Sequence, residues 1–150
     1  KISNIVFDEV TDDATCLIDL DTIAAMPIIF EMGDAFRSWC NPYGEENKEA
    51  TFSLPLFRSA LIGYMQEARN FLTVEEWRAL PNATLTITIE LAARFTADAL
   101  MERHFSWDSE RYRDASEHNQ VRAQSQISLS HSIRAQWTAL EDVIRANIGS

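Results

Sequence analysis

Three polar residues near the beginning of this chain are candidate ligands for a metal ion. Asn4 stands in one apolar segment, and Asp19 and Asp21 stand in a second. Side chains on a β-strand alternate between faces, so the two aspartates would point the same way, roughly 7 Å apart. Carboxylate and amide oxygens are the hard ligands that Mg²⁺ prefers. The pattern therefore predicts a Mg²⁺ site built from Asn4, Asp19 and Asp21.

A hairpin is the element that would bring these residues together. Residues 1–7 and 16–21 predict two short strands, and the acidic segment 10–13 is typical of the turn between them. That turn would place Asn4 opposite Asp19. Because an isolated Asp-x-Asp pair is common on solvent-facing strands, the metal interpretation depends on the hairpin and Asn4 together.

The sequence after the hairpin predicts helices. Residues 28–39 form a short amphipathic segment after Pro27, and Asn41-Pro42 ends it. Ser53 can cap the next helix, whose apolar residues recur at spacings of three and four: Leu54, Phe57, Leu61, Met65, Ala68 and Leu72. Thr73 and Glu76 have the spacing of a capping box.

Three later features complete the expected helical bundle. Pro81 predicts an interruption of the helix that begins at Thr73. Residues 84–91 alternate threonines with apolar residues, which favours a strand, while residues 91–101 favour a helix. A last helix is expected from about Asp114 to Asn147. The fold class is thus mainly α, with an N-terminal β-hairpin followed by a helical bundle, in a single domain over residues 1–150.

Composition limits the class of protein. The 150 residues are 46% hydrophobic, enough for one core, and carry a formal net charge of −10, which argues against general nucleic-acid binding. Two cysteines are too few for a disulfide framework, and no apolar run is long enough to span a membrane, so we expect a cytoplasmic protein. The three histidines lack metal-ligand spacing and are expected to be surface or satisfied core residues.

The segment Lys1-Ile2-Ser3-Asn4, followed by a hairpin and Ile18-Asp19-Leu20-Asp21, resembles the aminoglycoside-phosphotransferase family of small-molecule kinases. This family has a protein-kinase-like fold, and the likeness is closest to its N-acetylhexosamine kinase branch. The family's catalytic loop reads H-G-D-x-K-I-x-N, so Lys1 and Asn4 match its Lys and metal-binding Asn. Asp19 matches the metal-binding Asp of the second strand. The resemblance implies Mg²⁺, ATP and a small-molecule acceptor, a sugar or an amino sugar.

The sequence departs from the family in what it lacks. It has no H-G-D before Lys1, whose Asp orients the acceptor hydroxyl, no Gly-rich phosphate loop and no V-A-x-K strand. We therefore expect a fragment of a kinase, its helical C-terminal lobe, that is inactive in isolation. The alternative is a helical binding or dimerisation module without catalysis, which would form a homodimer through its exposed lobe-facing surface.

Two further motifs resemble segments of the same family. Gly33-Asp34-x-x-Arg37 matches its G-D-x-x-R, where the Asp supports the catalytic loop, which makes Asp34 a candidate catalytic residue. Arg94-Phe95-x-x-Asp98 matches its R-F-x-x-D, where the Arg helps to hold the sugar. The alternatives are an ordinary helix-start Asp paired with Arg37, and an Arg94 that extends from a core helix to solvent.

The resemblance has two more implications. It places one long helix from about Asn82 to His104, which resolves the conflict over residues 84–91. It also places Trp107 where the family closes over its sugar, so Trp107 joins Arg94 and Asp98 as a candidate substrate-binding residue. The alternative is that Trp107, like the other tryptophans, anchors its own segment to the core.

Overall fold

A computed structural model of the protein describes residues 4–21 and 23–148, so Lys1 lies outside the described residues. Over these ranges the chain is mainly helical, with an antiparallel hairpin followed by a helical bundle, which confirms the expected fold class. The elements in chain order are β1 (Ile5–Phe7), β2 (Ala14–Leu17), α1 (Ile28–Trp39), α2 (Leu54–Ala68), α3 (Val74–Met101), α4 (Ala115–Ala135) and α5 (Trp137–Ile148).

The hairpin is shorter than predicted. Its ladder pairs Ile5 with Leu17, and an irregularity follows Val6. The Asp8 carboxylate accepts two turn N–H groups at 2.9 Å, which closes the turn. The prediction that the second strand continues to Asp21 is wrong, because β2 ends at Leu17. The two aspartates therefore do not alternate along a strand.

Helices α1 and α2 confirm their local sequence signals. α1 spans the predicted residues, and the Ser53 hydroxyl caps α2 by accepting the Leu56 N–H at 3.4 Å. The predicted apolar stripe of α2 is buried at Phe57 and Leu61. Both helices therefore contribute a continuous apolar face to the core.

Helix α3 runs through Pro81, so the prediction of an interruption there is wrong, as is the expected start at Asn82. The capping box between Thr73 and Glu76 is present and starts the helix. A proline inside a helix removes one hydrogen bond and costs about 3 kcal/mol. Trp77 and Leu80 are buried on the same helix as the buried proline, so packing of this face offsets the lost bond.

The threonines of α3 explain why a strand-like sequence is helical. Thr84 and Thr88 are fully buried, and their hydroxyls donate to the carbonyls of Leu80 and Thr84 at 2.8 and 2.6 Å. Each hydroxyl thus finds its acceptor four residues earlier in the same helix. A β-strand would offer no such partner, so burial of these positions favours the helix.

The predicted final helix is divided into α4 and α5 at Gln136. The Gln136 side chain donates to the Phe52 carbonyl at 2.8 Å and to the Ser132 carbonyl at 3.2 Å. These bonds tie the break to the segment before α2. The prediction of an unbroken helix from Asp114 to Asn147 is therefore wrong, although the predicted start is close: α4 begins at Ala115, and the Asp114 side chain caps it by accepting the Glu117 N–H.

Helix α3 packs against α1, α4 and α5, which makes it the centre of the bundle. α1 crosses it at Gly33, where an added Cβ would lie 2.8 Å from the Ala83 carbonyl oxygen. Only a glycine permits this approach.

No helix in residues 4–21 and 23–148 combines the length and apolar character needed to cross a bilayer.

Candidate functional site

The base of the hairpin brings two of the predicted metal ligands together. The Asn4 side-chain Nδ2 donates to Asp19 Oδ2 at 3.2 Å. The register differs from the predicted one, because the Asn4 carbonyl accepts the Ile18 N–H. The side chains still meet because the chain leaves the strand and Asp19 adopts a left-handed backbone with a φ of 61°. This conformation is uncommon for a residue other than glycine.

The donor set of this pair fits a partial Mg²⁺ site. The pair combines an exposed carboxylate with a half-buried amide whose Nδ2 faces that carboxylate, so the amide would turn its oxygen towards a bound ion. Mg²⁺ commonly takes one or two carboxylates and completes its shell with water and phosphates. Within the ranges that the structure describes, no group of three or more His, Cys, Asp or Glu side chains could hold a metal. Asp21, the third predicted ligand, is exposed beyond the end of β2.

A second group of predicted residues lines one cleft of about 420 Å³. The cleft lies between α1, α3 and the segment after α3, and Asp34, Arg37 and Arg94 all contribute to it. Asp98 and Trp107 do not line it. The two family-like motifs, which are more than fifty residues apart in sequence, thus meet at one place.

Arg37 forms the buried end of this cleft. It is 2% exposed, and its guanidinium lies 2.7 Å from the Asp34 carboxylate and 3.0 Å from that of Glu45. It also donates to Gln126 Oε1 at 3.4 Å. A buried guanidinium needs such partners, because an unpaired buried charge is costly. Asp34 therefore neutralises Arg37 as the alternative expected, although it lies in the second turn of α1 and not at the helix start.

Arginines and phenylalanines alternate along the opposite wall. The Phe95 and Phe105 rings lie 4.7 Å apart, Arg94 sits over Phe105 at 5.3 Å, and Arg122 sits over Phe95 at 5.5 Å. Arg94 is 57% exposed, and the Glu90 carboxylate is 3.7 Å away. Stacking on an aromatic face fixes a guanidinium plane while its N–H groups stay available.

Asp98 lies behind this wall and is 1% exposed. Its carboxylate accepts the backbone N–H groups of Arg103, His104 and Phe105 at 2.9 Å and the Asn119 side-chain N–H at 3.0 Å. The N–H of Arg103, with those of the next two residues, holds the pKa of Asp98 below its usual range, although burial opposes this. Four donors from within the chain therefore occupy this carboxylate.

Sequence reasoning missed the residues of the cleft that come from loops and from α4. Glu45, Phe105 and Arg122 line the cleft, yet no motif marked them. The spacing of Asn119 and Arg122, three positions apart on one helix, was the available signal, since such residues share a face. Nothing local marked Glu45, whose partner is on another element.

A larger cleft lies elsewhere, between α3 and α4, with a volume of about 770 Å³. It gathers Leu100 and Ile127 with polar side chains and holds none of the predicted site residues. The smaller cleft is the better candidate, because it joins paired charged groups around one buried guanidinium, that of Arg37. A comparison with protein-family models finds no match to the sequence.

Proposed function

We propose that this chain is the helical, metal-binding lobe of an ATP-dependent small-molecule kinase resembling the aminoglycoside-phosphotransferase family. Its acceptor would be a hydroxyl of a sugar or amino sugar. The observation that carries the proposal is the contact between Asn4 and Asp19 at the base of the hairpin. The cleft that joins Asp34, Arg37 and Arg94 supports it.

In this proposal Asn4 and Asp19 hold Mg²⁺ through their oxygens, and Asp21 is a further candidate ligand. The ion, when bound with ATP, offsets the charge that develops on the transferred phosphoryl group. Lys1 would belong to the catalytic loop, as the resemblance implies. The Asp that orients the acceptor hydroxyl and the nucleotide-binding lobe would come from the rest of the parent protein.

The cleft is proposed to hold the acceptor. Arg94 presents an exposed guanidinium whose N–H groups can donate to sugar oxygens, and Phe105 beneath it fixes its plane. Trp107 lies outside the cleft lining but is 38% exposed, so its ring is accessible to a part of the sugar that extends beyond the cleft. The free thiols of Cys16 and Cys40 fit a reducing compartment such as the cytoplasm.

A paramagnetic titration tests the metal site. Mn²⁺, a stand-in for Mg²⁺, is added with ATP to the ¹⁵N-labelled chain. Signals of Asn4 and Asp19 should broaden before those of other acidic residues, and Asp19→Asn should abolish this selectivity. Glu9→Gln, which removes an exposed acid from the turn of the same hairpin, is the matched control. Uniform broadening over the acidic surface of the wild type would refute the site.

A transfer assay tests the completeness of the catalytic machinery. Positioning supplies most of the rate in phosphoryl transfer, and a chain without the base Asp and the nucleotide lobe cannot position either reactant. The isolated chain with ATP, Mg²⁺ and a panel of amino sugars should therefore give no product. Product that tracks the folded protein would contradict this assignment of roles.

A self-associating module is the second candidate, because the hairpin region exposes apolar side chains. Both strands of the isolated hairpin are edges, which can pair with another chain. The exposed side chains are Val6, Phe7, Val10, Leu17, Ile18, Leu20, Ile23, Met26 and Phe30. Sedimentation over a range of concentrations distinguishes the candidates. A tight dimer with no Mn²⁺ selectivity favours the module, and selective Mn²⁺ binding favours the kinase lobe.

A further inference from the structure

The end of α3 is built around one carboxylate. Glu102 follows the helix with a left-handed backbone, φ 49° and ψ 49°, which turns the chain back towards Asp98. Three successive N–H groups, those of residues 103–105, then converge on the Asp98 side chain. A non-glycine residue holds a left-handed conformation only where its surroundings enforce it. The carboxylate is the group that enforces this turn.

The turn decides where the aromatic wall of the cleft lies. The Phe105 N–H is held by Asp98 Oδ2, and the Phe105 ring packs on Phe95 and under the Arg94 guanidinium. Asp98 itself does not line the cleft, whereas Phe95, Phe105 and Arg94 do. The carboxylate therefore acts on the cleft through the segment that it holds.

A second chain of contacts leads from Asp98 through α4 to the same wall. The Asn119 side chain donates to Asp98 Oδ2 at 3.0 Å, and its Oδ1 lies 3.5 Å from an Arg122 N–H. Arg122 in turn donates to the Ser106 carbonyl at 2.9 Å and stacks on Phe95. Asn119 is fully buried, so solvent cannot replace these bonds. Both arginines of the wall thus depend on one buried carboxylate.

We propose that Asp98 is a positioning residue for the cleft: its carboxylate orders residues 103–106 and thereby sets the planes of Arg94 and Arg122, without touching the ligand. The ordering of this segment follows from the contacts alone. The effect on ligand binding rests on the proposed function.

Amide hydrogen exchange and binding of N-acetylglucosamine, followed by NMR, test the proposal. Asp98→Asn keeps the shape of the side chain but replaces one carboxylate oxygen by an N–H₂ group, which faces the N–H groups that the oxygen accepted. Exchange at residues 103–105 should rise at least tenfold, while Ala92 in α3 stays protected. The contact between the Phe95 and Phe105 rings should weaken, and the sugar should bind at least tenfold more weakly.

Two variants separate positioning from general stability. Ile144→Val removes one methyl group from α5, away from the cleft, and should leave the sugar affinity and the exchange of residues 103–105 unchanged. Asp98→Asn with Asn119→Asp restores an acid–amide pair, but residue 98 then has one uncharged oxygen, in place of a carboxylate, for the three backbone N–H groups. Residues 103–105 should stay unprotected in the double variant, and full rescue would overturn the proposed role of the backbone contacts.

The outcomes distinguish this proposal from the proposed function. Protected amides at 103–105 in a folded Asp98→Asn variant would overturn the positioning role. A second outcome is that residues 103–105 of Asp98→Asn exchange rapidly while the wild type does not bind N-acetylglucosamine. That combination would support the ordering role and contradict the proposed sugar-binding site. If Asp98→Asn does not fold, the wild type is titrated with acid. The amide chemical shifts of residues 103–105 and the chemical shift of the Asp98 carboxyl carbon should then change with the same midpoint pH. Different midpoints would refute the proposal.

Discussion

The imidazole Nε2 of His118 lies 3.0 Å from Oε1 of Glu46, although 72 positions separate the two residues. The backbone N–H of Asp108 donates to Nδ1 of the same ring at 3.2 Å. Because Nδ1 accepts, Nε2 carries the proton and donates to Glu46. His118 is 1% exposed and stacks on Tyr112, which confirms the expectation of a satisfied core histidine at this position. The pair joins the loop before α2 to the start of α4.

This contact predicts that Glu46 stabilises the fold at neutral pH and not in acid. Burial raises the pKa of Glu46, but the His118 hydrogen bond and the Arg111 charge outweigh it, so the pKa lies below the ordinary 4.5. The stabilisation is then fully present at a pH above the ordinary pKa, and it is lost as the pH falls through the lower pKa of the folded state. Glu46→Gln should cost about 1 to 2 kcal/mol at pH 7.

Urea unfolding of the wild type and Glu46→Gln at several pH values between 7 and 3 checks this expectation. The difference between the two unfolding free energies should shrink as the carboxyl group becomes protonated. Glu9→Gln, a change at an exposed acid in the turn of the hairpin, is the matched control. A difference for Glu46→Gln that is equally large at the two ends of the range would contradict the ion-pair account.

The crossing of α1 over α3 predicts opposite effects of alanine at two glycines. Gly33→Ala would push a Cβ against the Ala83 carbonyl, which is backbone and cannot rotate away. The helices would have to separate, at a cost of about 1 to 3 kcal/mol. Gly63 faces open space on α2, so Gly63→Ala should stabilise by about 0.5 to 1 kcal/mol. Urea unfolding midpoints measure both, and equal effects of the two variants would refute the close crossing.

The two cysteines should differ in reactivity. Burial raises the pKa of the Cys40 thiol to about 12, whereas Cys16 is exposed on β2. The thiolate is the reactive species, so iodoacetamide at pH 8 should modify Cys16 and spare Cys40 in the native protein. Peptide mass spectrometry counts the labels, and modification in urea should reach both sites. Native labelling of Cys40 at the rate of Cys16 would show that its surroundings open readily.

The hairpin should exchange its amide hydrogens faster than the helical bundle. β2 is exposed throughout, and β1 is half-buried only at Ile5, so few contacts oppose local opening. Leu129 and Ile133 of α4 are fully buried and should be among the slowest amides. Hydrogen exchange read by NMR gives both rates. A hairpin that exchanges as slowly as α4 would mean that it has a partner in solution, such as a second copy.

Short-range signals in the sequence predicted the parts of the fold that depend on neighbours within one turn. Ser53 and the pair of Thr73 and Glu76 cap their helices as expected, because each cap needs only a residue three positions away. The bounds of α1 follow from Pro27 before it and Asn41-Pro42 after it. These features need no knowledge of tertiary contacts.

Long-range contacts decided the features that the sequence did not predict. The break at Gln136 depends on a bond to Phe52, 84 positions away. α3 continues through Pro81 because Leu80 and Thr84, on either side of it, are buried. The contact between Asn4 and Asp19 could be predicted, since both residues lie at the base of one hairpin. The donors around Asp98 could not, because Asn119 comes from another helix and the turn at Glu102 has no sequence marker.

The buried threonines of α3 have a consequence for the chain during synthesis. Residues 84–91 contain a single charge, at Glu90, and their intrinsic preference is for extended structure. In the folded protein α1 and α4 pack on α3, so before α4 has been made this segment is an uncovered stretch with the composition of an aggregation-prone strand. The ribosome releases this segment well before its covering helix. We therefore expect residues 84–91, in the central helix, to be prone to aggregation during synthesis. The yield of folded protein should fall as the time between synthesis of this segment and synthesis of α4 increases.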